Sequence, residues 1–130
     1  MQQRNTYLYH FARTGNVAIA GHFAEVAYAF QNCASCGVAD PTFCCQANGQ
    51  NPVDLAIMRA MGEFWTSFAA TGQPTATAVE EWPRYTRSAD TAMRFDASIR
   101  TEVGWRKEYC DFWKQFPLPT SKPGRNVSML

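Results

Sequence analysis

The sequence predicts an α/β protein, and three segments carry this prediction. An alternating aromatic stretch at residues 6–12 is typical of a buried strand, residues 51–71 have helical periodicity, and a second aromatic helix is indicated at residues 105–116. Of the 130 residues, 46% are hydrophobic and 14% are aromatic, which indicates a packed core. We therefore expect a single folded domain.

Charge and hydropathy exclude two kinds of partner. Twelve basic residues nearly balance eleven acidic ones, and no run of Lys or Arg is dense enough to follow a phosphate backbone. No apolar stretch approaches the ~20 residues that cross a bilayer. We expect no nucleic-acid partner and no membrane span.

The first element is a strand that leads into a histidine-containing loop. Residues 6–12 carry bulky side chains on both sides, as in a central strand that is buried on both faces. Turn formers at residues 13–16 end the strand. The chain then enters the segment 21–30, which contains His22, Glu25 and a run of aromatic residues.

The cysteine content indicates oxidising surroundings. Residues 31–52 are rich in Cys, Asn, Gly and Pro without apolar periodicity, so we expect a cysteine-rich loop there. Disulfides explain this loop better than a zinc site, because adjacent cysteines ligate one ion with poor geometry. The odd number of cysteines leaves one thiol free or paired outside the chain. The disulfide candidates are Cys33, Cys36, Cys44, Cys45 and Cys110.

The clearest element is a long amphipathic helix. Asn51 can cap it, Pro52 suits its first turn, and Gly72 ends it. We expect its apolar stripe to be core and not a ligand-binding surface. The stripe consists of Ile57, Met61, Phe64, Trp65 and Phe68.

The C-terminal part contains shorter elements. Residues 82–85 are expected to anchor a crossing of the chain, and residues 91–96 to form a brief edge strand. The last helix is marked by aromatic residues at 105–116 and ends where prolines follow. We expect residues 120–130 to form a flexible tail.

Taken in order, these motifs resemble the C-terminal quarter of type-B carboxylesterases and cholinesterases. In that family a histidine is followed by two variable residues, a glutamate and an aromatic run, as at residues 22–30. The resemblance is collinear over positions 6 to 116, and only the region from Cys33 to Cys45 departs from it. The other matching residues are Trp65, Phe68, Ala69, Thr71, Gly72, Pro74, Trp82, Pro83, Tyr85, Phe95, Asp96, Cys110, Phe112 and Trp113.

This resemblance implies a C-terminal fragment of an α/β-hydrolase fold, with a late sheet strand, the histidine loop and flanking helices. Residues 1–119 would form the C-terminal part of a carboxylesterase domain, with residues 31–52 as its cysteine-rich loop. The implied activity is serine-dependent hydrolysis of a small-molecule ester, without a cofactor or a metal ion. Together with the cysteine content, the resemblance implies a secreted or extracytoplasmic location.

The resemblance assigns catalysis to His22. It would take the proton of a serine hydroxyl and return it to the leaving alcohol, work that suits imidazole near neutral pH. Glu25 is expected to support His22 and not to be the triad acid, which the family draws from an earlier strand end. The aromatic side chains at residues 23–30 are expected to pack. His10 has no motif around it, and we expect a structural role for it.

The nucleophile is missing from the sequence. No Gly-x-Ser-x-Gly elbow occurs in the 130 residues, and α/β-hydrolases place the nucleophile and the acid before the histidine. One alternative is a fragment of a non-catalytic, cholinesterase-like binding or adhesion domain, which the residue at the serine position would decide. Another is a small metal-binding module on the cysteine loop, which stoichiometric zinc in purified protein would reveal.

We predict that the purified 130-residue chain hydrolyses esters no faster than background, because it contains no serine elbow. A fluorophosphonate probe for activated serines should label it no more than a heat-denatured sample. Specific labelling of the folded chain would contradict this prediction.

Overall fold

The fold is seen in a computed structural model, which describes residues 5–14, 20–32 and 51–116. Four of the disulfide candidates, Cys33, Cys36, Cys44 and Cys45, lie outside the described residues, as does the predicted tail at 120–130. The elements in chain order are β1 (Tyr9–Phe11), α1 (Val26–Ala29), α2 (Pro52–Thr71), β2 (Thr91–Phe95), β3 (Arg100–Val103) and α3 (Lys107–Trp113).

The described strands form one mixed sheet in the order β1-β2-β3. β1 runs parallel to β2, with Tyr9 opposite Met93, and β2 runs antiparallel to β3. The prediction of an edge strand at residues 91–96 was wrong, because β3 pairs with its other side. Met93 and Phe95 of β2 are accordingly fully buried.

β1 is shorter and less enclosed than the alternating pattern predicted. Its three residues are half-buried, and β2 is its partner among the described strands. Hydrogen bonding to β2 extends one residue further back, since the Met93 amide donates to the Leu8 carbonyl at 2.9 Å. The predicted central strand therefore lies at one edge of the described sheet.

The long helix forms where its capping residues predicted it. The Asn51 side chain accepts a hydrogen bond from the Val53 amide at 2.9 Å, and Pro52 occupies the first turn. At the other end Gly72 has a φ of 75°, a left-handed conformation that favours glycine, and its amide donates to the Phe68 carbonyl. These end contacts set the helix boundaries.

The core lies between α2 and the sheet. Ile57, Met61 and Phe64 of α2 are almost fully buried, which confirms the inner part of the predicted stripe, whereas Phe68 is 43% exposed. Trp82 packs among the aromatic rings at the centre of this layer, and its indole N–H donates to the Leu8 carbonyl at 3.1 Å. The rings within about 6 Å of Trp82 are those of Tyr7, Tyr9, Phe64, Trp65 and Phe95.

The predicted last helix is present as α3, but its aromatic side chains are exposed. Trp105 precedes the helix and lies over the sheet instead. The exposed aromatic residues on and after α3 are Tyr109, Phe112, Trp113 and Phe116. None of the helices in the described part of the chain is long and apolar enough to cross a membrane.

We predict that Phe64→Ala lowers the free energy of unfolding by about 3–5 kcal/mol, because it removes a fully buried ring and leaves a cavity. The matched control is Phe30→Ala, at a ring that is 80% exposed. This control should change the free energy of unfolding by no more than about 0.5 kcal/mol. Denaturant unfolding of both variants measures the difference, and similar losses would contradict the described core.

Candidate active site

His22 lies in a series of tight turns that lead directly into α1. The Ala24 amide donates to the Gly21 carbonyl at 3.2 Å, and the Val26 amide donates to the Phe23 carbonyl at 3.1 Å. Glu25, at the start of α1, then accepts from the Ala29 amide at 2.9 Å. The backbone around His22 is therefore continuous with α1 through hydrogen bonds.

The His22 imidazole is exposed. It packs on the Phe23 ring, with 3.8 Å between ring centroids and 36° between the planes. No hydroxyl or carboxyl group of the described residues lies within hydrogen-bond distance of it. The described chain thus presents this histidine without a serine or an acid beside it.

Phe23 has an unusual backbone conformation. Its φ is 65°, in the left-handed region that residues with a side chain seldom adopt. Such a conformation costs about 1–2 kcal/mol and persists only where the surrounding structure imposes it. The strain lies directly beside His22.

The Glu25 side chain makes no hydrogen bond or ion pair with His22. Its side chain is half-buried, makes no capping hydrogen bond to α1, and forms no ion pair with a described residue. Burial, followed by the charge of Glu25, raises the pKa of Tyr9 on the neighbouring strand. The supporting role of Glu25 stays a prediction.

A buried polar cluster joins α1, α2 and the end of β1, and sequence reasoning did not predict it. Asp54, in the first turn of α2, is fully buried. Its Oδ1 accepts hydrogen bonds from Arg13 Nε at 2.8 Å and from the Tyr28 hydroxyl at 3.1 Å. Three segments of the chain, the end of β1, α1 and the start of α2, meet at this one oxygen.

The cluster changes the acidity of its members. Burial, followed by the charge of Asp54 and the hydrogen bond to it, raises the pKa of Tyr28 well above its usual value of 10.0. The hydrogen bond to Asp54 also raises the pKa of Arg13, so that Arg13 is cationic at any ordinary pH. The phenol of Tyr28 therefore remains a hydrogen-bond donor at neutral pH.

His10 has a different environment from His22. Its Nδ1 lies 2.9 Å from Glu102 Oε1, its side chain is 19% exposed, and Trp105 stacks on its ring at 4.0 Å. Arg94 also approaches Glu102, at 3.6 Å, and pairs with Asp96 at 2.7 Å. A paired and covered imidazole is what we expected of a structural histidine.

The predictions for cysteines and metals are tested only in part. Cys110, on α3, is an exposed free thiol. Cys110 is one of the disulfide candidates, and its pairing with a cysteine outside this chain stays a prediction. In residues 5–14, 20–32 and 51–116, no three side chains of the metal-ligating types cluster together.

The sequence profile of the carboxylesterase family matches residues 1–113. The chain belongs to the carboxylesterase family. This confirms the resemblance that was based on the histidine loop and on the helix ending at Gly72.

Individual carboxylesterases and a cholinesterase are similar to parts of the chain. Carboxylesterase 5A of Felis catus is 28% identical over 71 residues, which is 55% of this chain and 13% of that protein. The acetylcholinesterase of Bungarus fasciatus is 32% identical over 68 residues, which is 50% of this chain and 11% of that protein. The chain thus spans a small part of the length of these relatives.

A solved structure supports the fold. The carboxylesterase of Geobacillus stearothermophilus, solved at pH 6.2, has a TM-score of 0.68 and 31% identity, and the match covers 84% of this chain and 22% of that one. The predicted fold class, a piece of an α/β-hydrolase fold, is confirmed by this likeness.

We predict that Tyr28 makes stability fall with pH above about 10. The folded pKa of Tyr28 is raised, so the unfolded chain loses this proton first, and rising pH then favours unfolding. Its contribution is fully present below the unfolded pKa and is lost as the pH rises from there through the folded pKa. Tyr28→Phe should therefore flatten the decline in unfolding free energy above that pH.

The matched control for this measurement is Tyr109→Phe, at a tyrosine that is 61% exposed. It should leave the alkaline decline as steep as in the unchanged chain. Ultraviolet titration of tyrosinate in each variant identifies the late-titrating group, and an early titration of Tyr28 would refute the buried hydrogen bond.

Proposed function

We propose that this chain supplies the C-terminal part of a serine carboxylesterase, with residues 1–119 in that domain and His22 as its catalytic histidine. The observation that carries the proposal is the state of the His22 imidazole. It is exposed, it lies in the segment that resembles the family's histidine loop, and no described side chain hydrogen-bonds it. A ring in this state is open to a serine and an acid from elsewhere in the enzyme.

The proposed reaction is the hydrolysis of a carboxylic ester of a small molecule. As the serine oxygen attacks the ester carbonyl, His22 takes the hydroxyl proton, and it returns that proton to the oxygen of the leaving alcohol. His22 then takes a proton from water, whose oxygen attacks the acyl-enzyme, and the acid product leaves as the serine regains its proton. The serine and the triad acid are contributed from outside these 130 residues, so the chain alone is inactive.

His10 is not a competing candidate. Its Nδ1 is engaged by Glu102, and Trp105 covers one face of its ring. Since its ring is also half-buried on the opposite side of β1 from Tyr9 and Phe11, it has little access to an external substrate. The pairing of His10 serves the contact between β1 and β3.

A second candidate function is a non-catalytic, cholinesterase-like binding or adhesion domain. The aromatic side chains exposed on α3 favour it, because exposed aromatic groups are common at protein interfaces. For either function we propose a secreted or extracytoplasmic location, which the five cysteines support.

The catalytic proposal predicts that His22 works when it is given a nucleophile. Residues 6–116 would replace the matching segment of the Geobacillus stearothermophilus carboxylesterase, which is 31% identical and similar in fold. The graft should hydrolyse a simple ester, and His22→Gln in the graft should lower kcat by about 10³-fold or more. His10→Gln is the matched control and should leave hydrolysis in place.

A folding check keeps this experiment decisive. Thermal unfolding would establish that each graft is folded, and a smaller graft of residues 21–30 alone would replace the larger one if it is not. A folded graft that is inactive, or one whose activity survives His22→Gln, would refute a catalytic role for His22 and favour the binding function.

A further inference from the structure

The buried cluster around Asp54 joins two segments of the chain that lie on either side of His22 in the sequence. Arg13 follows β1 and Tyr28 lies in α1, within the segment 21–30, and both donate to Asp54 Oδ1, at 2.8 Å and 3.1 Å. His22 lies between these two anchor points along the chain. The rings of Phe11 and Tyr28, whose centroids are 5.0 Å apart, add a packing contact between the same two segments.

We propose that Asp54 is a positioning residue for His22, and that it acts by holding α1, through Tyr28, against the end of β1, through Arg13. This inference rests on the proposed catalytic role of His22. Asp54 itself touches neither substrate nor reacting atoms.

The anchor is on a rigid element. Asp54 is in the first turn of α2, whose start is fixed by the Asn51 cap. One turn further on, Ile57 is 1% exposed, and Met61 follows at 0%. Because these side chains lock α2 against the sheet, the position of Asp54 is fixed relative to the sheet.

The position of Asp54 is transmitted to His22 through short steps. Tyr28 belongs to α1, in which the Ala29 amide donates to the Glu25 carbonyl. In the turns before α1, the Val26 amide donates to the Phe23 carbonyl and the Ala24 amide to the Gly21 carbonyl. His22 lies within these turns. The left-handed φ of Phe23 requires a surrounding structure that imposes it, and the anchored α1 supplies one.

Stability alone does not account for the cluster. Asp54 is fully buried, and its Oδ2 has no hydrogen-bond partner among the described residues. Buried polar groups without partners are unfavourable, and buried ion pairs are often no more stabilising than apolar residues of the same shape. Oriented hydrogen bonds, in contrast, fix one arrangement of two chain segments, which is what a catalytic loop needs.

The test uses the 130-residue chain and does not depend on activity. Tyr28→Phe removes one hydroxyl and keeps the ring that packs on Phe11, and Asp54→Asn keeps the shape of the anchor. Amide hydrogen exchange followed by NMR should become about tenfold faster at residues 21–30 in Tyr28→Phe, with little change at the centre of α2.

The matched control is Phe68→Ala, which loosens the C-terminal end of α2 by removing its ring contact with Tyr7 and leaves the cluster intact. It should accelerate exchange in the loop no more than in the centre of α2. If Tyr28→Phe accelerates amide exchange equally at residues 21–30 and at the centre of α2, or in neither region, the positioning role is wrong. If Asp54→Asn fails to fold, Tyr28→Phe alone decides the question.

A second readout in the graft separates positioning from stability. Tyr28→Phe should lower kcat about tenfold with KM nearly unchanged, whereas Phe68→Ala should leave both unchanged. Loss of kcat in both variants would indicate a purely structural effect and overturn the proposal. Survival of activity after His22→Gln would instead refute the catalytic role, while the exchange experiment would still report on the anchor.

Discussion

The contact between α2 and the sheet is the interaction on which the rest of the structure depends, and Trp82 is at its centre. Its ring contacts aromatic side chains from β1, α2 and β2. Its N–H donates to the Leu8 carbonyl, which also accepts a hydrogen bond from the Met93 amide. Edge-to-face ring contacts have preferred geometries, so they orient α2 as well as bury it. The orientation of α2 in turn determines where Asp54 lies.

The two faces of β1 make different contacts. Tyr9 and Phe11 face the core and the cluster side, whereas His10 faces Glu102 and Trp105 on the other side of the sheet. The chain therefore separates a histidine that holds strands together from a histidine that is exposed at a turn. This separation distinguishes the two imidazoles more clearly than their sequence surroundings do.

Local signals were enough to predict α2, and non-local contacts were not predictable. Asn51 and Gly72 end the helix through hydrogen bonds to backbone groups only a few residues away. The bounds of α2 therefore follow from the local sequence. β3 was missed because Arg100–Val103 is polar and becomes a strand only through its pairing with β2. For the same reason the alternating β2 was assigned to an edge.

The candidate site shows the same limit. The importance of His22 was suggested by the resemblance to a family, since an exposed histidine at a turn has no periodic signal of its own. In the sequence, Asp54 looks like an ordinary acidic residue in the first turn of a helix, where its negative charge interacts favourably with the helix dipole. Its partners Arg13 and Tyr28 are 41 and 26 residues away, and only the fold brings them together.

The parallel pairing of β1 with β2 also bears on the order in which the chain folds. Tyr9 pairs with Met93, so β1 finds this partner only after α2 and the crossing at Trp82 have been made. During synthesis β1 therefore lacks β2 as a partner until residue 95 has left the ribosome. Long-range closure of this kind is slow, and we expect the nascent chain to need protection from aggregation during that interval.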